Sequence, residues 1–358
     1  MGVIAVGNTK ERLQALWRRD VKRRLVAGGL DMAAALARAG MMANARGRGA
    51  IFTLHHVRPK KSRPLQPSAH LEVTPDFLSE AIERLSAEGY EFVPLAEVPA
   101  RLAKPSKRPF AAFTLDDGYR NNAAYALPVF ERHNAPFTIF VTRGFAERTH
   151  SLWWETLAEL LGQAPEVTFD FGDGPELMDL TSEARKFDAF DRISHYVGTT
   201  DEASAVSRID AMAKKHGVDP LKITADLTMD AQELRALSAH PLASLGAHTI
   251  SHRAVARLSA EEAREEMRQS ADYVEMLTGE RPRSLAYPYG TQQAVSERDM
   301  TIAKELGFSV AVTTQPGTLC EKHASRLTGL PRISLNGYYQ QPRYVSALAS
   351  GIPFSIGR

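Results

Sequence analysis

The sequence contains a single cysteine, Cys320, so the chain cannot form an internal disulfide. No stretch approaches the roughly 18 apolar residues of a membrane-spanning helix, and the first residues lack the uninterrupted apolar core of a signal peptide. The formal net charge of +2 is too small to indicate bulk binding to nucleic acid. We therefore expect a cytoplasmic protein with no nucleic-acid partner, either free or peripheral at the inner membrane face.

The 358 residues have the composition of a globular protein, since 44% are hydrophobic and 24% are charged. The charge is unevenly placed, because residues 1–48 hold ten Lys and Arg against three Asp and Glu. This segment has apolar residues at roughly helical spacing and predicts a basic helix, which we expect Gly28 and Gly29 to break in two. Such a helix can lie on an anionic membrane or dock a partner such as a glycosyltransferase. The alternative is a solvated helix that packs on the main domain.

Short apolar runs alternate with stretches that carry helical signals, which indicates a parallel sheet or a barrel. Among these signals, Thr74 and Pro75 predict the start of one helix, and Ser259 with Glu262 predicts a capping box at the start of another. The runs predict strands at 50–54, 90–93, 111–115, 137–141, 244–247, 284–287, 309–313 and 331–335. Residues 150–235 interrupt this alternation and predict a mostly helical insertion.

Two adjacent carboxylates, Asp116 and Asp117, follow the strand predicted at 111–115, and Gly118 then lets the backbone turn sharply. Parallel α/β sheets and barrels place their chemistry at this end of the strands. Successive residues of an extended chain point in opposite directions, so one carboxylate can bind a metal while the other handles a proton. The alternative is an ordinary acidic turn, since Asp-Gly is a common turn pair.

A histidine pair, His248 and His252, lies just beyond the strand predicted at 244–247. The spacing of four residues lets both imidazoles converge on one ion. Two histidines and one carboxylate are a common ligand set for a catalytic divalent ion. Each feature alone is weak, but both follow strands at the same end of the predicted sheet.

Three segments resemble the motifs of the NodB-homology polysaccharide deacetylases, carbohydrate esterase family 4. Residues 114–118 (T-L-D-D-G) resemble the family's T-F-D-D-G motif, and residues 248–252 (H-T-I-S-H) resemble its H-[ST]-x-x-H motif. Residues 287–290 (Y-P-Y-G) are similar to the P-Y-G loop that forms one wall of the family's groove. The resemblance implies a distorted (β/α) barrel for about residues 50–335.

On this resemblance, Asp117, His248 and His252 hold a divalent metal that acidifies water and polarises the N-acetyl carbonyl. Zn²⁺ is the expected ion, with Co²⁺, Ni²⁺ and Fe²⁺ as alternatives. Asp116 is then the general base, and a backbone N–H shares the oxyanion, by family analogy that of Tyr289. The resemblance and the positions in the chain also indicate substrate-binding residues, namely Tyr119, Pro288, Tyr289 and Arg332.

Two family features are missing here. The C-terminal strand at 330–335 has no histidine to act as general acid, and Ala286 stands where the family usually has an arginine. His55 is the candidate acid, because residues 54–57 (L-H-H-V) resemble the Y-H-x-V motif of the family's permuted branch. Its alternative role is to cap a strand. Arg332 is the candidate to orient Asp116, with a purely structural role at the barrel rim as its alternative.

The predicted organisation therefore has three parts: a basic helical extension over 1–48, a deacetylase-like barrel over 49–345 with its helical insertion at about 150–235, and a tail over 346–358. The predicted activity is metal-dependent removal of N-acetyl groups from N-acetylhexosamine units of an oligosaccharide, polysaccharide or lipid-linked intermediate. One alternative is hydrolysis of a non-sugar C–N bond, as in an amide, ureide or imide, on the same barrel. The other is a non-catalytic glycan-binding or scaffold protein.

Overall fold

A computed structural model describes residues 9–104 and 106–355, with the backbone alone for residues 9–20. The strands in these ranges are β1 Gly49–Leu54, β2 His56–Val57, β3 Glu72–Val73, β4 Glu91–Phe92, β5 Phe110–Leu115, β6 Phe137–Val141, β7 Glu166–Asp170, β8 Pro175–Asp179, β9 Ala243–Ala247, β10 Ser284–Ala286, β11 Val310–Pro316 and β12 Leu330–Ser334. The α-helices are α1 Thr9–Arg38, α2 Pro75–Ala87, α3 Val98–Ala103, α4 Leu127–Arg132, α5 Arg143–Ala146, α6 Trp153–Gln163, α7 Glu183–Thr199, α8 Glu202–Lys215, α9 Pro220–Leu227, α10 Ala231–Ser238, α11 Ala260–Thr278, α12 Glu297–Glu305, α13 Pro342–Ala349 and α14 Ile352–Ser355.

In the described part of the chain, seven parallel strands close into a barrel. Their order is β1-β12-β11-β10-β9-β6-β5, and β5 pairs back onto β1. The strand β4 adds to β5 outside the closed ring. The predicted (β/α) barrel is thus confirmed, and the strands predicted for it agree with the structure to within a few residues at each end.

The register of the strands brings distant parts of the chain to one end of the barrel. Leu54 pairs with Leu115, so the residues that follow, His55 and Asp116, leave the sheet at the same level. Leu285 pairs with Ala247, which places His248 beside the end of β10. Because all the ring strands are parallel, these carboxyl ends form one rim.

Local signals fix where the flanking helices begin. Thr74 caps α2 by accepting a hydrogen bond from the Phe77 N–H, and Pro75 occupies its first turn. Ser259 and Glu262 form the predicted capping box at the start of α11. Apolar faces of both helices are buried in the core, through residues such as Leu78 and Met267.

The described chain divides into two compact units. One holds the described residues up to Gly29 together with 61–69 and 151–223, and the other holds 30–60, 70–150 and the described residues from 224 onward. The first contains the helices α6, α7 and α8 and an antiparallel hairpin of β7 and β8. The predicted domain boundaries at 48, 150, 235 and 345 remain predictions.

The N-terminal helix α1 runs without interruption through Gly28 and Gly29, so the helix break expected at this glycine pair is wrong. Its last turns pack into the second unit, where Leu30, Ala33 and Ala34 are buried. The basic side chains before residue 21 lie outside the described residues. None of the helices described for this chain is both long enough and apolar enough to span a bilayer.

Candidate metal centre and catalytic site

Three predicted ligands, Asp117, His248 and His252, lie together at the carboxyl rim of the barrel. Each is buried, and one ligand atom from each lies within 4.8 Å of the others. Asp117 Oδ1 is 3.5 Å from His248 Nε2 and 3.3 Å from His252 Nε2. The structure therefore brings the Asp117 carboxylate together with two imidazoles that lie more than 130 residues further along the chain.

These distances fit three ligands of one tetrahedral cation. Metal–ligand bonds of about 2.0–2.1 Å give ligand–ligand separations of about 3.3–3.4 Å, close to both distances from Asp117 Oδ1. Among the described residues, this buried oxygen also has no hydrogen-bond partner, which is costly unless an ion binds it. Burial raises the pKa of Asp117, but the adjacent imidazoles of His248 and His252 outweigh burial and hold that pKa well below the usual range. The carboxylate is therefore in the charged form that metal binding requires.

A backbone carbonyl fixes the orientation of His248. Its Nδ1 lies 2.7 Å from the Ala286 carbonyl oxygen, which can only accept a hydrogen bond, so Nδ1 carries the proton. This leaves Nε2 as the lone-pair nitrogen that faces Asp117. Ala286, which replaces the arginine usual in the family, thus contributes through its main chain.

Unusual backbone conformations cluster around this group. Asp117, Thr249, His252 and Tyr289 all have positive φ angles, between 58° and 70°. Left-handed backbone costs a non-glycine residue of order 1–3 kcal/mol and persists only where surrounding contacts enforce it. Four such residues around one cluster lower the stability of the fold, and their backbone conformations fix where these side chains lie.

The second carboxylate, Asp116, forms a buried two-pronged ion pair with Arg332. The Arg332 Nη1 and Nη2 atoms donate to Asp116 Oδ1 and Oδ2, both at 2.7 Å. Arg332 also donates to Thr114 Oγ1 and to the Thr313 carbonyl, which engages two of its three remaining N–H groups in the barrel interior. Burial raises the pKa of Asp116, but Arg332 outweighs burial and lowers it below the ordinary value. Arg332 is thus placed to orient Asp116, and with 1% of its surface exposed it offers none to a substrate.

His55 faces the same carboxylate from the end of β1. Its Nε2 lies 3.9 Å from Asp116 Oδ2, and 18% of its side chain is exposed. Burial lowers the pKa of His55 below its usual value, and Asp116 opposes this shift only in part. The neighbouring His56 has a different environment, since it is buried and its Nδ1 lies 2.7 Å from Asn121 Nδ2.

The residues predicted to contact substrate have very different exposures. Tyr119 is 1% exposed, with its ring 3.6 Å from that of His56, so it offers no surface to a sugar. Pro288 is also buried. Tyr289 is half-buried, and its ring lies 5.1 Å from that of His252 at the edge of the site. Of these three residues, only Tyr289 presents a side chain to solvent beside the predicted metal ligands.

Only glycine fits at position 290, in the turn after Tyr289. Gly290 has a φ of +61°, and a β-carbon there would lie 2.4 Å from the Thr314 amide nitrogen. The Gly290 carbonyl accepts from that same amide at 3.0 Å. This close approach to β11 holds Tyr289 against the site.

Glu266, on α11, anchors the loop that carries both histidines. Its Oε2 accepts from the Ile250 N–H at 2.7 Å and from the Ser251 N–H at 2.9 Å, and Arg253 lies 3.3 Å from its Oε1. The carboxylate is buried, with 6% of its surface exposed. Sequence reasoning missed this residue, because it lies in the acidic run E-E-A-R-E-E of an amphipathic helix.

We expect Glu266→Gln to weaken metal binding by about ten- to a hundredfold, the usual effect of removing a group that orients metal ligands. The neutral amide lacks the charge that strengthens the two backbone hydrogen bonds, and an NH₂ group in place of Oε1 can no longer accept from Ser251 Oγ or pair with Arg253. Glu262→Gln is the matched control, because glutamine also serves in the capping box of the same helix. Calorimetric titration with Zn²⁺ measures both, and equal affinities for the two variants would contradict the anchoring role.

A family model described as polysaccharide deacetylase matches residues 103–185 and 193–311, which is more than half of the chain. The chain belongs to the polysaccharide deacetylase family. The match includes the rim residues Asp116, Asp117, His248 and His252. No curated protein shows a significant match.

Solved structures of deacetylases share the fold. The Streptococcus pyogenes deacetylase PplD, determined in complex with acetate, is 18% identical with a TM-score of 0.53, over 81% of this chain and 92% of that one. IcaB from Ammonifex degensii is 15% identical with a TM-score of 0.53, over 85% of this chain and 98% of that one. At such identities the likeness concerns the fold alone.

Membership in the polysaccharide deacetylase family makes this protein a hydrolase acting on C–N bonds other than peptide bonds. The family also supports an acetylated glycan as its substrate. The non-catalytic alternative is therefore set aside. Assignment to the permuted branch, based on His55, remains a prediction.

Proposed function

We propose that this deacetylase removes N-acetyl groups from N-acetylhexosamine units of a glycan or glycan-biosynthesis intermediate, in a metal-dependent reaction. The observation that carries the proposal is the buried group of Asp117, His248 and His252, with the Asp116–Arg332 pair beside it. If these residues served only to pack the barrel, a buried carboxylate oxygen between two imidazole nitrogens would be expected to have a hydrogen-bond partner.

Two imidazoles and one carboxylate suit Zn²⁺ best, with Co²⁺, Ni²⁺ and Fe²⁺ as the alternatives. A cation held there would act as a Lewis acid that polarises the amide carbonyl and lowers the pKa of water. Asp116, kept ionised by Arg332, accepts the proton that the attacking water gives up. The backbone N–H of Tyr289 is proposed to donate to the developing oxyanion.

His55 is proposed as the general acid that protonates the leaving amine. Its Nε2 lies 3.9 Å from Asp116 Oδ2, so the proposed acid and the proposed base adjoin the same reaction site. Water loses one proton to Asp116 and the amine nitrogen gains one from His55, so the products are the free amine and acetate. Tyr289 contributes a half-buried ring on which the sugar packs, whereas Pro288 and Tyr119 are buried.

In the decisive assay, the enzyme is incubated separately with N-acetylated chitooligosaccharides, with a small ureide and with a formamide. Each incubation is run in the presence and in the absence of added Zn²⁺. We expect release of free amines from the sugars, with a mass change that corresponds to loss of acetyl groups. The metal content of the dialysed protein is measured in parallel. Hydrolysis of the small molecules alone would replace the sugar substrate with a non-sugar C–N bond.

His55→Ala is expected to lower kcat by about 10²–10⁴-fold, the usual contribution of a general acid. Zn²⁺ affinity should stay within about twofold of wild type, because His55 is not a proposed ligand. His56→Ala, at the buried neighbour, is the comparison, since its loss should act mainly through stability. A near-normal kcat in His55→Ala with metal bound would remove the acid assignment.

A cytoplasmic location and a peripheral contact through residues 1–48, to a membrane or a glycosyltransferase, are further proposals. The support is the excess of ten basic over three acidic residues in this segment. Deleting residues 1–48 is a poor test because Leu30, Ala33 and Ala34 are buried. Cell fractionation and flotation of the full chain with anionic liposomes at low and high salt test the proposals. Failure to float at low salt would reject the membrane contact.

A further inference from the structure

A cavity of about 350 Å³ lies among the end of α1, the 3₁₀ turn Ala43–Arg46, α2 and α13. Its volume is in the range of about 300–1,000 Å³ usual for ligand sites. Arg46, in its wall, lies three residues before β1 begins, whereas the metal ligands follow strand ends at the opposite rim. The cavity is therefore separate from the catalytic site.

The lining of the cavity is strongly cationic. Four arginines, Arg38, Arg46, Arg84 and Arg343, face a single acidic residue, Glu88. This is a formal excess of three positive charges, or two once the adjoining Asp31 is counted. Such a concentration of like charge in a concave site attracts anions.

Two of these guanidinium groups already have partners. Arg84 Nε donates to Glu88 at 2.9 Å and to Ser346 Oγ at 2.6 Å. Arg343 Nε donates to Asp31 at 2.6 Å. These contacts hold the α2 and α13 walls in place.

The other two, Arg38 and Arg46, have no carboxylate partner among the described residues. The Arg46 guanidinium instead lies 5.9 Å from the centre of the Tyr90 ring, a contact that positions it without neutralising its charge. Arg38 is exposed at the mouth. Two uncompensated guanidinium groups offer the forked donors that suit phosphate oxygens.

Apolar side chains flank these cations. Met41 and Met42 are 54% and 44% exposed and belong to the lining of the same cavity. Met42 has a left-handed backbone, with φ of 53°, that presents the pair at the turn after α1. Exposed apolar residues beside cationic ones are typical of surfaces that meet a lipid headgroup and the start of its acyl chains.

We propose that this cavity binds the phosphate group of an anionic ligand, and that the ligand is a lipid headgroup at a membrane surface. Arg38 and Arg46 contact the phosphate, while Met41 and Met42 reach the interface. The catalytic rim, at the other end of the strands, then faces away from the lipid. This inference does not depend on the proposed deacetylation.

The test is sedimentation of the full-length protein with vesicles of phosphatidylcholine, with or without phosphatidic acid. Binding should require phosphatidic acid, and the double variant Arg38→Gln with Arg46→Gln should weaken binding about twenty-five-fold, since each arginine near an anionic surface contributes about fivefold. The matched control is Arg132→Gln with Lys304→Gln, which removes the same charge from exposed positions outside the cavity. It should change binding by less than about threefold.

Calorimetry with inorganic phosphate distinguishes the source of the ligand. Met41→Gln with Met42→Gln should weaken vesicle binding but not phosphate binding if the ligand is a lipid. Phosphate binding that depends on Arg38 and Arg46, without vesicle binding, would keep the phosphate site and replace the lipid with a soluble ligand. Equal losses in the cavity and control pairs, or binding of neither probe, would overturn the proposal. Amine release from soluble chitooligosaccharides, unchanged in the cavity variants, checks folding separately.

Discussion

Asp117→Asn is expected to abolish stoichiometric metal binding and to lower kcat/KM by more than about a hundredfold. Removing a group that merely orients a ligand costs about ten- to a hundredfold, and Asp117 is itself a proposed ligand. The asparagine side chain has nearly the same shape but no charge, so the change removes the anionic oxygen between His248 and His252. Metal content after dialysis and zinc calorimetry measure the binding, and amine release measures the activity.

The adjacent carboxylate provides the matched control. Asp116→Asn should retain the metal, because Asp116 is engaged by Arg332 rather than directed at the histidines. Its kcat should nevertheless fall by about 10²–10⁴-fold, since the proposed base is lost. The pair therefore separates two roles at neighbouring positions. Metal retained in Asp117→Asn, or metal lost in Asp116→Asn, would contradict the assignment.

Arg332→Met is expected to destabilise the protein by about 3–5 kcal/mol, because it leaves the Asp116 carboxylate buried without its partner. Urea unfolding measures the change. Arg192→Met is the control, since Arg192 forms a similar two-pronged pair with Glu176 at 2.8 and 2.6 Å, but both side chains are at least 40% exposed. An exposed pair contributes about 0–1 kcal/mol. Combining Arg332→Met with Asp116→Asn should recover part of the loss, as expected for coupled residues.

The same substitution should move the acidic limb of the pH–rate profile. Arg332 lowers the pKa of Asp116, so its removal raises that pKa. Asp116 acts as a base only when ionised, and the acidic limb therefore shifts to higher pH. The metal-loaded variant is assayed at subsaturating substrate, where the profile reports the free enzyme. An unmoved limb in a folded variant would show that Arg332 does not tune this carboxylate.

Several features followed from the sequence because their signals are local. The run of apolar and β-branched residues before Asp116 predicts a strand at 111–115, and the structure has Phe110–Leu115. The helices α2 and α11 begin at their predicted caps, since a Thr-Pro pair and a capping box act within one turn. The hairpin of β7 and β8 was not predicted, although Val167 and Phe169 alternate with exposed neighbours. Its short strands gave too little periodicity within a polar, helix-rich segment.

Contacts between residues far apart in the chain could not be predicted in the same way. The sequence left two roles open for Arg332, namely orienting Asp116 or a purely structural role at the barrel rim. Its approach to Asp116 could not be predicted, because it depends on the closure of β12 onto β1. The burial of Tyr119 depends on the His56 ring packed against it. Glu266 gave no signal, since an acidic residue on an amphipathic helix normally faces water.

The sequence by itself determined the fold class and the family of this protein, because strand–helix alternation and the motifs that resemble those of the polysaccharide deacetylases are local signals. Asp117 is the carboxylate that the family resemblance had already assigned to the two histidines, and it lies beside both. Only the tertiary structure decided that Arg332 holds Asp116, one of the two roles that the sequence left open for this arginine. It also decided that Glu266 supports the histidine loop. These outcomes depend on strand register and barrel closure, which bring together groups that share no local signal.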